Sequence, residues 1–85
     1  MDSRLKMVGK LLDRYIVPKY EDIGEYTLRY DDGDIEITFW MDGTEQELEE
    51  DIVDACNIIL KIVRPKNNHF IYKFTTEGEH FYTYT

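Results

Sequence analysis

The chain has 85 residues, 14% of them aromatic, and its 18 Asp and Glu against 10 Lys and Arg give a net charge of −8. This charge repels nucleic-acid phosphates and anionic lipids, so we expect no direct nucleic-acid binding and no membrane binding. The length fits one domain, and the single cysteine excludes an internal disulfide or a zinc site with more than one thiolate.

The first predicted element is an amphipathic helix over residues 2–16. Its apolar side chains recur at helical spacing and form one stripe. Pro18 disfavours helical dihedrals at the residue before it, so we expect the helix to end near Ile16. The stripe consists of Leu5, Val8, Leu12, Tyr15 and Ile16.

The same stretch bears on localisation. Charged residues interrupt it, so it contains no apolar run as long as the hydrophobic region of a secretory signal. No apolar stretch of the chain approaches the roughly 20 residues of a membrane span. We therefore expect a cytoplasmic protein.

A β-hairpin is predicted over residues 26–40. Asp32-Gly33 fits a two-residue type I′ turn, in which glycine supplies a positive φ. The resulting register places six apolar side chains on one face, because Tyr30, Leu28 and Tyr26 oppose Ile35, Ile37 and Phe39. On the other face it places Arg29 opposite Glu36, Thr27 opposite Thr38, and Glu25 opposite Trp40.

A second helix is predicted from Thr44 to about Arg64-Pro65. Thr44 and Glu47 have the spacing of a capping box. The helix has two adjacent apolar stripes, which together are wider than a sheet alone would cover, so we expect helix 1 or a second subunit against its flank. The first stripe is Leu48, Ile52, Ala55, Ile59 and Ile62, and the second is Val53, Cys56, Leu60 and Val63.

The last segment, residues 69–85, alternates again and predicts a second hairpin. The favoured register has a three-residue loop and pairs aromatic with aromatic residues. A two-residue turn would instead place Phe81 opposite Phe74. In the favoured register, His80, Tyr82 and Tyr84 oppose Phe74, Tyr72 and Phe70.

These elements predict an α+β two-layer sandwich of order α-β-β-α-β-β. We expect a four-stranded antiparallel sheet, made of two hairpins, with both helices on one face. Trp40 then projects from the opposite face, which we term the open sheet face, together with Ile71 and Phe81. The alternative is that the loop at residues 17–24 folds over Trp40 and hides it.

Residues for catalysis are scarce. His69 and His80 lie at opposite ends of one hairpin, and Cys56 lies on an apolar stripe where burial makes a thiol inert. The Asp31–Asp34 turn lacks the ligand spacing of an EF-hand. We expect no enzyme activity and no cofactor, and we keep a small-ligand or divalent-cation site at this turn as the alternative hypothesis.

Three surfaces are candidates for binding a partner. They are the open sheet face (Trp40, Ile71, Phe81), the uncharged C-terminal strand (Tyr82, Tyr84), and an acidic ridge on helix 2 (Glu50, Asp54) that could meet a basic surface. The alternative for the ridge is that its charge only maintains solubility.

The leading hypothesis is therefore a non-enzymatic protein–protein interaction module. We expect it to self-associate, with a homodimer as the simplest form, because a chain of this length has a thin core. Small size and acidity are also typical of viral adaptors and inhibitors, which would place it in the host cytoplasm.

Overall fold

The computed structural model describes residues 3–43, 45–63, 69–76 and 82–84. The radius of gyration is 12.0 Å, about that of a compact chain of this length. Among the described residues, no helix is long and apolar enough to cross a membrane. The elements in order are α1 (Ser3–Leu11) with a π-helical continuation (Leu12–Ile16), β1 (Ile23–Asp31), β2 (Asp34–Met41), α2 (Gln46–Ile59) with a 3-10 continuation (Leu60–Val63), β3 (Phe70–Thr75) and the short β4 (Tyr82–Tyr84).

The β1–β2 hairpin confirms the predicted register. Tyr30 opposes Ile35, and the pairing continues without a shift to Glu25 opposite Trp40. The turn residues Asp32 and Gly33 have φ values of 50° and 90°, as a type I′ turn requires at both central positions.

The sheet is mixed, so the prediction of an all-antiparallel sheet is wrong. β1, β2 and β3 form a three-stranded sheet in which β2 and β3 run parallel, from Ile35 beside Phe70 to Trp40 beside Thr75. The cause is α2, which carries the chain from the end of β2 back to its start, because parallel neighbours require such a crossover. Side-chain alternation has the same period in both arrangements and does not distinguish them.

At the far edge of the sheet, β4 pairs antiparallel with β3. Tyr82 opposes Phe74 and Tyr84 opposes Tyr72, two residues away from the favoured register. Residues two apart along a strand share a face, so the hydrophobic pattern could not exclude this register. The predicted pairing of His80 lies outside the described residues.

One hydrophobic core lies between the helices and a single face of the sheet. The inner stripe of α1 is confirmed at Val8, Leu12 and Ile16, which are fully buried, whereas Tyr15 is exposed, contrary to the prediction. The π-helical turn explains the difference, because its wider spacing changes which side chains follow Leu12 onto the inner face. The strands contribute Ile35, Ile37, Phe39, Phe70, Tyr72 and Phe74.

The β1 residues on this face are only partly covered. Tyr26 lies under α1, where its hydroxyl donates to Asp13 Oδ1 at 2.7 Å and lies 3.0 Å from the Gly9 carbonyl oxygen. Burial, followed by the bond to Asp13, raises the pKa of Tyr26 above its ordinary value. Tyr30 is exposed at the sheet end, and its hydroxyl accepts a 3.3 Å hydrogen bond from Arg4.

Helix α2 differs from its prediction at its start and in its inner face. Its N-cap is Glu45, which makes no side-chain capping bond, and Thr44 of the predicted capping box lies outside the described residues. The buried face centres on the second stripe, at Val53, Cys56 and Leu60. Ile62, predicted to face inward, is 83% exposed, and the neighbouring Ile58 is 76% exposed.

Candidate functional site

The exposed indole of Trp40 lies in a row across the open sheet face. The row contains Glu25 of β1, Trp40 of β2 and Thr75 of β3. Trp40 is 41% exposed, while Thr75 beside it is buried. The loop at residues 17–24 does not hide the indole, because Tyr20 and Ile23 of that loop are buried in the core instead.

Gly24 holds β1 close to Trp40. It is the extra residue of a β-bulge, since Ile23 pairs with Met41 while Glu25 pairs with Trp40. A Cβ at position 24 would lie 3.3 Å from the Trp40 carbonyl oxygen, so only glycine fits without a backbone shift. The bulge thereby makes Glu25 the cross-strand neighbour of Trp40, and both residues line the same depression.

Two depressions share Asp42, and the first of them includes all three residues of this row. The first, of about 300 Å³, is lined by Gly24, Glu25, Trp40, Met41, Asp42, Thr75 and Thr76, and we term it the Trp40 depression. The second, of about 440 Å³, is lined by Asp22, Asp42, Gly43, Glu45 and Leu48, and we term it the acidic depression. A hydrogen bond of 2.9 Å from the Asp42 N–H to the Asp22 carbonyl oxygen joins the two chain segments there.

Farther along the open sheet face, Glu36 binds two cations. Its side chain is only 7% exposed, and it forms ion pairs with Arg29, whose Nε lies 3.1 Å from Glu36 Oε2, and with Lys73. In the register, Lys73 lies opposite Thr38, between Glu36 and Trp40, and it turns toward Glu36. The ion pairs described for these two basic side chains are therefore made away from the Trp40 row.

The structure separates the residues predicted to form one partner surface. Ile71 is half-buried opposite Glu36, four residues along the strand from the Trp40 row, or about 13 Å. Trp40 and Ile71 are therefore not direct neighbours on the open sheet face, and the apolar patch of Trp40, Ile71 and Phe81 stays a prediction. Phe81 and the side chains of Tyr82 and Tyr84 lie outside the described residues. The acidic ridge residues Glu50 and Asp54 are exposed on α2.

The prediction did not include the acids that line the two depressions, apart from Glu25. Asp22, Asp42 and Glu45 come from two connections that the bulge brings together, and sequence periodicity gives no signal for a bulge. The one available indication of the bulge was Gly24, next to the predicted cross-strand partner of Trp40, because glycine inside a strand often marks a bulge.

Three observations concern the groups that could carry covalent or metal chemistry. Cys56 is fully buried, and burial raises the pKa of its thiol to about 12, which confirms the predicted inert cysteine. In the described part of the chain, no cluster of three or more His, Cys, Asp or Glu could hold a metal ion. Asp34 of the acidic turn accepts a 2.9 Å hydrogen bond from the His69 backbone N–H.

These observations define a small α+β domain with an exposed indole bordered by carboxylates. Comparison with protein-family models, with curated proteins and with solved structures gives no match. The fold class by itself implies no function, so only the side chains of this surface bear on it.

Proposed function

We propose that this chain is a small, acidic, non-enzymatic protein–protein interaction module, of adaptor or inhibitor type, that binds its partner through the Trp40 depression. The observation that carries the proposal is the exposure of Trp40 at the rim of that depression. Tryptophan is among the residues most enriched at binding hot spots. A partner that covers the indole removes a large apolar area from water, while the polar groups around it fix the orientation.

The test is partner capture from an extract of the source cells. We expect immobilised wild-type chain to retain a specific protein and Trp40→Ala to bind it at least about 30-fold more weakly, since a hot spot contributes about 2 kcal/mol or more. Tyr15→Ala is the matched control, because Tyr15 is an exposed aromatic residue on the helical side. Equal binding by wild type and Trp40→Ala would contradict the proposal, provided circular dichroism shows that both are folded.

We further propose self-association, through a second surface. Ile58 and Ile62 are one helical turn apart on α2 and are the most exposed large hydrophobic side chains of the described residues. Helix α1 contacts the 3-10 continuation of α2, and the π-helical continuation of α1 contacts α2 itself, yet the Ile58 and Ile62 side chains stay exposed. A two-fold contact would place this pair against its own copy and would enlarge the thin core of a short chain.

Light scattering with variants tests this contact. We expect the wild type and Met7→Ser, which changes an exposed residue of α1, to form a dimer at high concentration, and Ile58→Ser/Ile62→Ser to remain a monomer. The contact is apolar, so the dimer should persist as salt is raised. A dimer that dissociates with salt would instead implicate the acidic ridge at Glu50 and Asp54. A wild-type monomer at every concentration would rule out self-association.

A further inference from the structure

We propose that the Trp40 depression is a receptor for a lysine or arginine side chain in a basic segment of the partner. This inference rests on the proposed function and specifies the chemistry of its ligand. The cation would lie over the indole of Trp40, with the carboxylates of Glu25 and Asp42 at its charged end. Flanking basic residues of the same segment would lie over the neighbouring acidic depression.

The arrangement of charge supports a cationic occupant. Among the described residues that line the two depressions, four carry carboxylates and none carries a basic side chain. Lys73, the nearest basic residue in the sheet register, pairs with Glu36. The negative charge around the indole is thus concentrated where the surface is also concave. The four acids are Asp22, Glu25, Asp42 and Glu45.

The indole favours the same occupant for an independent reason. A cation near the face of an aromatic ring is attracted by the ring quadrupole, and tryptophan gives the strongest attraction. The chain itself makes two such contacts, with Arg14 lying 5.4 Å from the Tyr15 ring centroid and Lys19 lying 5.4 Å from the Tyr20 ring centroid. Arginine and lysine also carry apolar stems, which would cover the exposed ring.

Other occupants satisfy only part of the site. A purely apolar side chain would cover the indole but would strip water from the carboxylates without replacing their hydrogen bonds. A phosphate or nucleic acid would meet four negative charges. A bare divalent cation would gain nothing from an indole, and the described acids form no cluster that could hold a metal ion.

The fluorescence of Trp40 provides a direct test, because it is the only tryptophan. Hexa-arginine is the probe and hexa-glutamine is the uncharged control. We expect hexa-arginine, and not hexa-glutamine, to change the Trp40 emission at low salt. A labelled hexa-arginine followed by anisotropy gives the affinity of every variant, including Trp40→Ala.

Two matched charge variants distinguish hexa-arginine binding at this site from general electrostatic attraction to an acidic protein. Glu25→Gln/Asp42→Asn and Glu50→Gln/Asp54→Asn each remove two negative charges from exposed positions. We expect the first pair to weaken hexa-arginine binding at least tenfold and the second pair less than threefold. We also expect Trp40→Ala to weaken it at least threefold.

Equal weakening by both pairs, or binding that leaves the Trp40 emission unchanged, would overturn the proposal. The result is distinguishable from failure of the proposed function. If Trp40→Ala abolishes capture of the cellular partner while hexa-arginine does not bind, the module acts through Trp40 but its ligand is not a basic segment. If Trp40→Ala leaves capture unchanged, the proposed function itself fails.

Discussion

Replacing Phe39 by alanine is expected to lower the free energy of unfolding by about 3–5 kcal/mol. Phe39 is fully buried in the middle of the core, and its ring stacks on Phe74 with 5.3 Å between the centroids. The substitution therefore removes the apolar area of the ring from the core and leaves a cavity next to Phe74 of the neighbouring strand. A chain of this length has a total stability of about 4–13 kcal/mol, so the loss is a large fraction of it, and at the lower end of this range the variant would be unfolded.

The matched control is the next residue. Trp40→Ala is expected to cost about 1 kcal/mol or less, since Trp40 lies on the open sheet face and is 41% exposed. Urea unfolding followed by circular dichroism gives both values. Because Phe39→Ala is expected to be so unstable, Phe39→Leu should also be measured, with an expected cost of about 1–1.5 kcal/mol. A larger loss for Trp40→Ala than for Phe39→Ala would show that the two side chains have exchanged faces.

The contrast between these adjacent residues was predictable because it depends on local rules alone. Asp32-Gly33 fixes the turn, and the turn fixes which residues oppose each other. Once Tyr30 faces Ile35, alternation assigns Phe39 and Trp40 to opposite faces. The hairpin could therefore be derived from sequence down to its register.

The relation between β2 and β3 was not predictable from alternation. Both orientations bury Ile37 and Tyr72 on the same face, so the pattern is equally satisfied by either. A helix between two strands, as α2 lies between β2 and β3, favours a parallel pair of strands. This order was the available evidence against an all-antiparallel sheet. The register of β4 has a similar cause, since a shift of two preserves every face.

For the candidate site, the exposed position of Trp40 could be predicted from the sequence, but the acidic residues near it could not. The alternation of side chains along β2 alone places Trp40 on the face away from the helices. The carboxylates around it depend on the bulge at Gly24 and on the approach of the Asp22 and Asp42 connections, which are tertiary features. Side-chain alternation places Trp40 and Ile71 on one face of the sheet. It does not fix how far apart they lie, which depends on the register between β2 and β3.

A last prediction concerns the inner face of α2, where the structure corrects the sequence. Ile52 and Ile62 belong to the same predicted stripe, yet Ile52 is fully buried and Ile62 is 83% exposed. Ile62 lies beyond α2 in the 3-10 continuation, where the rotation per residue is larger than the roughly 100° of an α-helix, so the spacing of the first stripe does not carry over to it. We expect Ile52→Ala to lower the free energy of unfolding by about 2–5 kcal/mol and Ile62→Ala to change it by about 0.5 kcal/mol or less.

Chemical unfolding of both variants, at a concentration where the wild type is a monomer, measures the difference. Low concentration matters because a dimer formed through Ile62 would add stability that the monomer does not have. Comparable losses for the two variants would mean that the first stripe faces the core, as the spacing alone predicted. A loss confined to Ile52→Ala would leave Ile62 without a structural role in the monomer, which is what the proposed self-association through that residue requires.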